Sequence, residues 1–144
     1  MNGCQMIVAY RLKEHQTFID AVQRATRTTE SFGIEPTHGM FGSAEWWDSI
    51  AAGELEVHTV KGQITDVYMG SMNDWPEFKM LSDAGEESRW TRWLNTAAHD
   101  RIYRIGSRIE IDYVMQRHRP QSSDKGAEIK QILEIRIAES PRPK

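Results

Sequence analysis

The clearest pattern of apolar and polar positions lies between Gly106 and Arg117, where Ile109, Ile111, Tyr113 and Met115 alternate with Arg108, Glu110, Asp112 and Gln116. A period of two is the signature of a strand with one buried face, so the apolar set is expected inside. A second alternation, Leu133, Ile135 and Ile137 against Glu134 and Arg136, needs the same core. Between Val57 and Met69 β-branched residues predict another strand, with Gly62 at a bulge or tight bend. Phe78 and Met80 alternate with Glu77 and Lys79 in a short strand, followed by a turn at Ser82-Asp83-Ala84-Gly85. The stretch 88–102 fits a helical face as well as a strand; we read Arg89 to Leu94 as strand and Asn95 to Arg101 as a short helix or loop.

The N-terminal third has a different period. Phe18, Val22 and Ala25 recur at helical spacing, with Thr17 and Asp20 placed as a capping box, which predicts a helix from about Thr17 to Ser31. Ser43 can cap a second helix carrying Trp46, Trp47, Ile50 and Ala51, and Gly53 can end it in the left-handed conformation. Adjacent tryptophans stand about 100° apart on a helix, so one can occupy a core centre and the other its margin. Met6 to Tyr10 is a short apolar run that fits a buried strand or a helix start equally. Glu35-Pro36-Thr37-His38-Gly39 is turn chemistry, and Arg119 to Gly126 is a polar loop.

Composition narrows the function classes. With 144 residues, 39% of them hydrophobic, the chain can hold one real core plus an extension. The net charge of −3 supplies no global field toward nucleic acid or membrane. Arginines do concentrate between 89 and 119, at positions 89, 92, 101, 104, 108, 117 and 119. A lone cysteine, Cys4, excludes an intramolecular disulfide and any CxxC site. The start lacks the features of a secretory signal and no apolar run is long enough to span a bilayer, so a cytoplasmic protein is expected. Histidines 15, 38, 58, 99 and 118 have no ligand spacing, and no metal or other cofactor is expected. Phosphate-binding glycine motifs, the GxSxG elbow and HExxH are all missing, so the chain is not expected to be an enzyme.

The element order from Val57 onward, with Gly62 inside the first strand (Val60-Lys61-Gly62-Gln63-Ile64) and Gly106 entering the fourth (Tyr103 to Ile109), resembles an OB-fold. The resemblance covers about residues 57–138 and rests on element order and glycine placement. It implies a five-stranded antiparallel barrel over 57–138; with the two N-terminal helices, which are not part of that pattern, in an extension over 1–56 and a tail over 139–144, the chain is expected to be α+β. OB-folds bind on strands two and three and on the loops joining strands one to two and four to five. That maps the expected binding residues onto Trp75, Lys79, Arg89, Trp90, Arg92, Trp93, Arg117, His118 and Arg119, with Lys125 nearby. Tryptophan and arginine are the enriched residues of protein interface hot spots. The first expectation is therefore a non-catalytic protein-binding module of adaptor or immunity/inhibitor type. The second is a single-stranded oligonucleotide binder, in which bases stack on the rings and arginines neutralise phosphates. In a strand reading Arg89-Trp90-Thr91-Arg92-Trp93, alternation turns one of the two tryptophans inward.

Overall fold

A computed structural model describes residues 6–28, 39–70, 75–117 and 128–138. The elements are β1 (Met6–Arg11), α1 (Gln16–Thr28), α2 (Ala44–Ala51), β2 (His58–Met69), β3 (Pro76–Ser82), β4 (Glu87–Thr91), β5 (Arg108–Arg117) and β6 (Glu128–Ala138). Single 3-10 turns occupy Leu12–Glu14 and Ala97–Ile102. The strands form one antiparallel sheet in the order β1-β6-β5-β2-β3-β4. The connector 35–38, the polar loop 119–126 and the tail 139–144 lie outside the described residues.

The architecture is α+β, as the periodicities predict, with two corrections to the expected barrel. The described sheet has six strands rather than five, because Met6–Arg11 joins it by pairing with β6. The sheet also does not close. The outer edge of β1 is met not by a strand but by Asn95: Arg11 N–H donates to Asn95 Oδ1 (2.6 Å), Asn95 Nδ2 donates to Arg11 O (3.2 Å), and Asn95 N–H donates to Ala9 O (3.3 Å). A side-chain amide there satisfies backbone groups that a closing strand would otherwise pair.

The chain divides into two compact units. One takes the stretches up to Arg11, from Thr59 to Asp112 and from Glu134 onward; its core includes Tyr10, Ile64, Phe78, Met80, Ile109, Ile111, Ile135 and Ile137. Gly62 is buried here, and a Cβ on it would lie 2.8 Å from Ser82 Cα, so glycine lets β2 and β3 approach closely. Ladder irregularities fall at Ile64/Asp66 in β2 and Val8/Tyr10 in β1. Gly106, at φ 96°, donates its N–H to Ile64 O and turns the chain into β5.

The other unit takes Leu12–His58 and Tyr113–Leu133. Helix α1 begins at Gln16, one residue before the expected start, so Thr17 lies inside its first turn and Asp20 accepts from the Gln16 side-chain amide. Helix α2 is capped by Ser43, whose Oγ accepts from Trp46 N–H, and is followed by Gly53 at φ 82°. Trp46 is fully buried and Trp47 half-buried, the division that adjacent positions on a helix impose. The alternation in β5 is followed through Ile109 and Ile111 but then changes parity. Val114 and Gln116 are the buried residues beyond it, while Tyr113 and Met115, expected inside, are half-buried. Gln116 is tolerated inside because its Oε1 accepts from Trp46 Nε1 at 2.8 Å.

Candidate functional site

The β3–β4 hairpin carries most of the residues singled out from sequence. Its turn is held by Gly85 N–H donating to Ser82 O and by Arg108, which grips Asp83 with two hydrogen bonds of 2.7 and 3.0 Å. The guanidinium of Arg108 keeps the exposed Asp83 carboxyl below its ordinary pKa. In the ladder Phe78 faces Trp90 and Met80 faces Ser88, while Glu77, Lys79 and Leu81 face Thr91, Arg89 and Glu87. Side chains alternate across a strand, so the first set turns inward and the second outward.

This decides among the tryptophans. Trp90 is buried, its Nε1 donating to Ser88 Oγ at 2.7 Å, so it is removed from the expected binding residues. Trp75, at the start of β3, is 48% exposed and donates from Nε1 to Thr91 Oγ1 at 3.1 Å. Its ring meets Trp93 edge-on at 5.9 Å, and Trp93 in turn stacks on Tyr10 at 5.6 Å. Tyr103 underpins the group by donating its hydroxyl to Trp93 O at 2.6 Å, and burial pushes the Tyr10 and Tyr103 hydroxyls to high pKa. Trp75 therefore stands on a packed aromatic base, as an interface anchor must. Among the described residues of this hairpin Trp75 is the exposed ring, whereas single-strand binding uses a row of stacking platforms.

Arg92 lies at the same end of the hairpin. Its backbone N–H donates to Pro76 O, its Nη2 reaches Met69 Sδ at 3.6 Å, and its buried Nε has no hydrogen-bond partner among the described residues. A desolvated, unpaired guanidinium nitrogen is costly by about 1–3 kcal/mol, more for a charged group. Met69 is itself 42% exposed and pairs in the ladder with Pro76, so Trp75, Met69 and Arg92 mark one corner of the sheet, at the shared end of β2, β3 and β4. Lys79 is half-buried and Arg89 exposed on the outward rows of the same hairpin. Of the remaining expected residues, the Arg117 side chain and all of His118, Arg119 and Lys125 lie outside the described residues. Tyr10, Met69, Thr91 and Tyr103 were not foreseen; only the fold brings them to the tryptophans.

A second charged group sits on β5 and β6. Arg136 donates to both oxygens of Asp112 (2.8 and 3.0 Å), to Glu134 (2.9 Å) and to Glu110 (3.2 and 3.3 Å). Thr59 donates to Asp112 at 2.7 Å, and Arg11 pairs with Glu134 at 3.3 Å. Burial opposes ionisation of Asp112, but the hydrogen bonds from Arg136 and Thr59 outweigh it and hold the carboxyl below its ordinary pKa. Hydrogen bonding to Asp112 in turn raises the pKa of Arg136. Every nitrogen of that guanidinium is used, which makes it a fastener within the sheet.

No group of three or more His, Cys, Asp or Glu among the described residues is placed to hold a metal. No described helix is long and apolar enough to cross a membrane. No curated protein sequence matches the chain. The family model described as Immunity protein RhsI2 matches residues 6–138, from the first residue of β1 to the last of β6. The chain belongs to the family Immunity protein RhsI2.

Proposed function

We propose that this chain acts as an immunity protein by binding a protein toxin and blocking it, with no chemistry of its own, and that the toxin docks on the corner formed by Trp75, Met69 and Arg92. Family membership over residues 6–138 carries the function. The open corner supports the location. It combines an exposed aromatic ring on a rigid base with an arginine at the same strand end, and tryptophan and arginine anchors dominate the energy of protein interfaces. The OB-like reading of residues 57–138 supports the same region, because strands two and three of that pattern are β3 and β4. Lys79 and Arg89 on the outward rows extend the surface, and the protein would act in the cytoplasm.

Protection is the test. Cells producing the cognate toxin survive when this chain is co-produced. Trp75→Ala or Arg92→Ala each weakens toxin binding by about 2 kcal/mol or more, roughly thirtyfold in Kd, and protection drops accordingly. Full protection by both folded variants removes the corner from the reading. Failure of the wild-type chain to neutralise the toxin removes the function.

A further inference from the structure

The two outer edges of the sheet are treated differently. At β1 the outward backbone groups of Ala9 and Arg11 are occupied by Asn95. At β4 the hydrogen bonds to β3 fix which groups point where. Ser82 N–H donates to Glu86 O, and Arg92 N–H donates to Pro76 O. In an antiparallel ladder the bonded residues alternate, so the even-numbered residues 86 to 92 turn their backbone groups to β3. Glu87, Arg89 and Thr91 therefore turn theirs outward. Thr91 O is taken by Trp93 N–H. Beyond β4 the sheet ends, leaving the N–H and C=O of Glu87 and Arg89 on an uncovered edge among the described residues.

The side chains of these two residues say what fits there. Both are exposed on the outward face. Neither has an opposite charge directly across from it in its own chain. Arg89 faces Lys79, whose other neighbour in the ladder is Asp66, and Glu87 faces Leu81. Like charges directly opposite are unfavourable, and unlike ones favourable. A second antiparallel strand at the edge would place opposite charges directly across from them.

We propose that β4 pairs with β4 of a second copy of this chain in a two-fold symmetric dimer. Placing Ser88 opposite Ser88 of the other copy puts Glu87 opposite Arg89 and Arg89 opposite Glu87. Both outward residues then make narrow-pair backbone bonds, and both gain an opposite charge. Sliding one strand by two residues in either direction, the smallest slide that keeps outward backbone groups facing each other, sets Arg89 against Arg89 or Glu87 against Glu87, so charge selects the register. The segment is self-complementary, which is what a two-fold interface requires.

Light scattering coupled to gel filtration, run on the purified full chain from low to high micromolar concentration, tests this with no toxin present. The wild type reaches a mass of twice the 16.6 kDa chain. Glu87→Arg and Arg89→Glu each replace two attractive pairs by two repulsive ones and weaken dimerisation by about tenfold or more. The double reversal restores it, since the positive and negative charges have then merely exchanged places and unlike charges again face each other across the edge. Circular dichroism checks that the variants fold, which the exposed positions favour. A wild-type chain that stays monomeric throughout overturns the proposal and leaves the edge to a strand from another protein. A dimer untouched by either single reversal, or not restored by the double one, overturns it equally.

Discussion

Two arginines in the same compact unit hold opposite positions. Arg136 is surrounded by Glu110, Asp112 and Glu134, and each of its nitrogens donates to a carboxylate. Arg92 makes no ion pair among the described residues, and its Nε is buried without an acceptor. Both are arginines on or beside a strand, and neither composition nor net charge separates them. The difference teaches that a cation's surroundings, not its presence, mark a binding surface. A satisfied guanidinium fastens strands together; one with an unpaired nitrogen adds little to the fold that holds it.

The largest effect expected from this contrast is on stability. Arg136→Ala leaves three neighbouring carboxylates facing one another, and chemical denaturation should show a loss of about 2–3 kcal/mol, less than for a fully buried pair because the group is partly exposed. A loss below about 0.5 kcal/mol would mean that the network is a surface decoration. Trp75→Ala comes next and inverts the pattern. It costs about 2 kcal/mol of toxin affinity while the denaturation midpoint hardly moves, since the ring is half exposed. An unfolded Trp75→Ala chain would make this ring part of the core and end the contrast.

The acid limb of stability sharpens it further. Asp112 has a lowered pKa in the folded state, so its contribution is present at neutral pH and is lost as pH falls below its ordinary value of 3.8. Asp112→Asn should be less stable than wild type at pH 7, and the difference should shrink as the medium is acidified toward about pH 2. A constant difference across that range would detach the carboxylate from Arg136. The smallest effect belongs to Arg92→Ala, in which relief of the unpaired nitrogen is offset by the packing lost with the side chain, so stability should change by no more than about 0.5 kcal/mol in either direction. A loss as large as that of Arg136→Ala would show that Arg92 serves the fold.

Much of this was legible along the chain. The long strands β2, β5 and β6, the helices around Phe18 and Trp46, the Ser43 cap and the turns at Gly53 and Gly85 follow from period and turn chemistry. The hairpin with its arginines and tryptophans was recognisable as the region to inspect. Less legible was which tryptophan would be free. Trp90 and Trp93 differ by three positions, but one faces Phe78 inside the ladder and the other rests on Tyr10, more than eighty residues away in sequence.

What the sequence determined by itself is local: where the backbone extends or coils, and which faces of each element are apolar. Tertiary structure alone decided that Met6–Arg11 is a sixth strand, that the sheet stays open where Asn95 caps its edge, and that β5 changes faces after Ile111. It also decided that Arg136 is saturated and Arg92 is not. The reason is that periodicity is set by neighbours a few residues apart, whereas pairing and exposure depend on which distant strand comes to lie alongside. The partners of a charge are therefore known only once the strands have been placed.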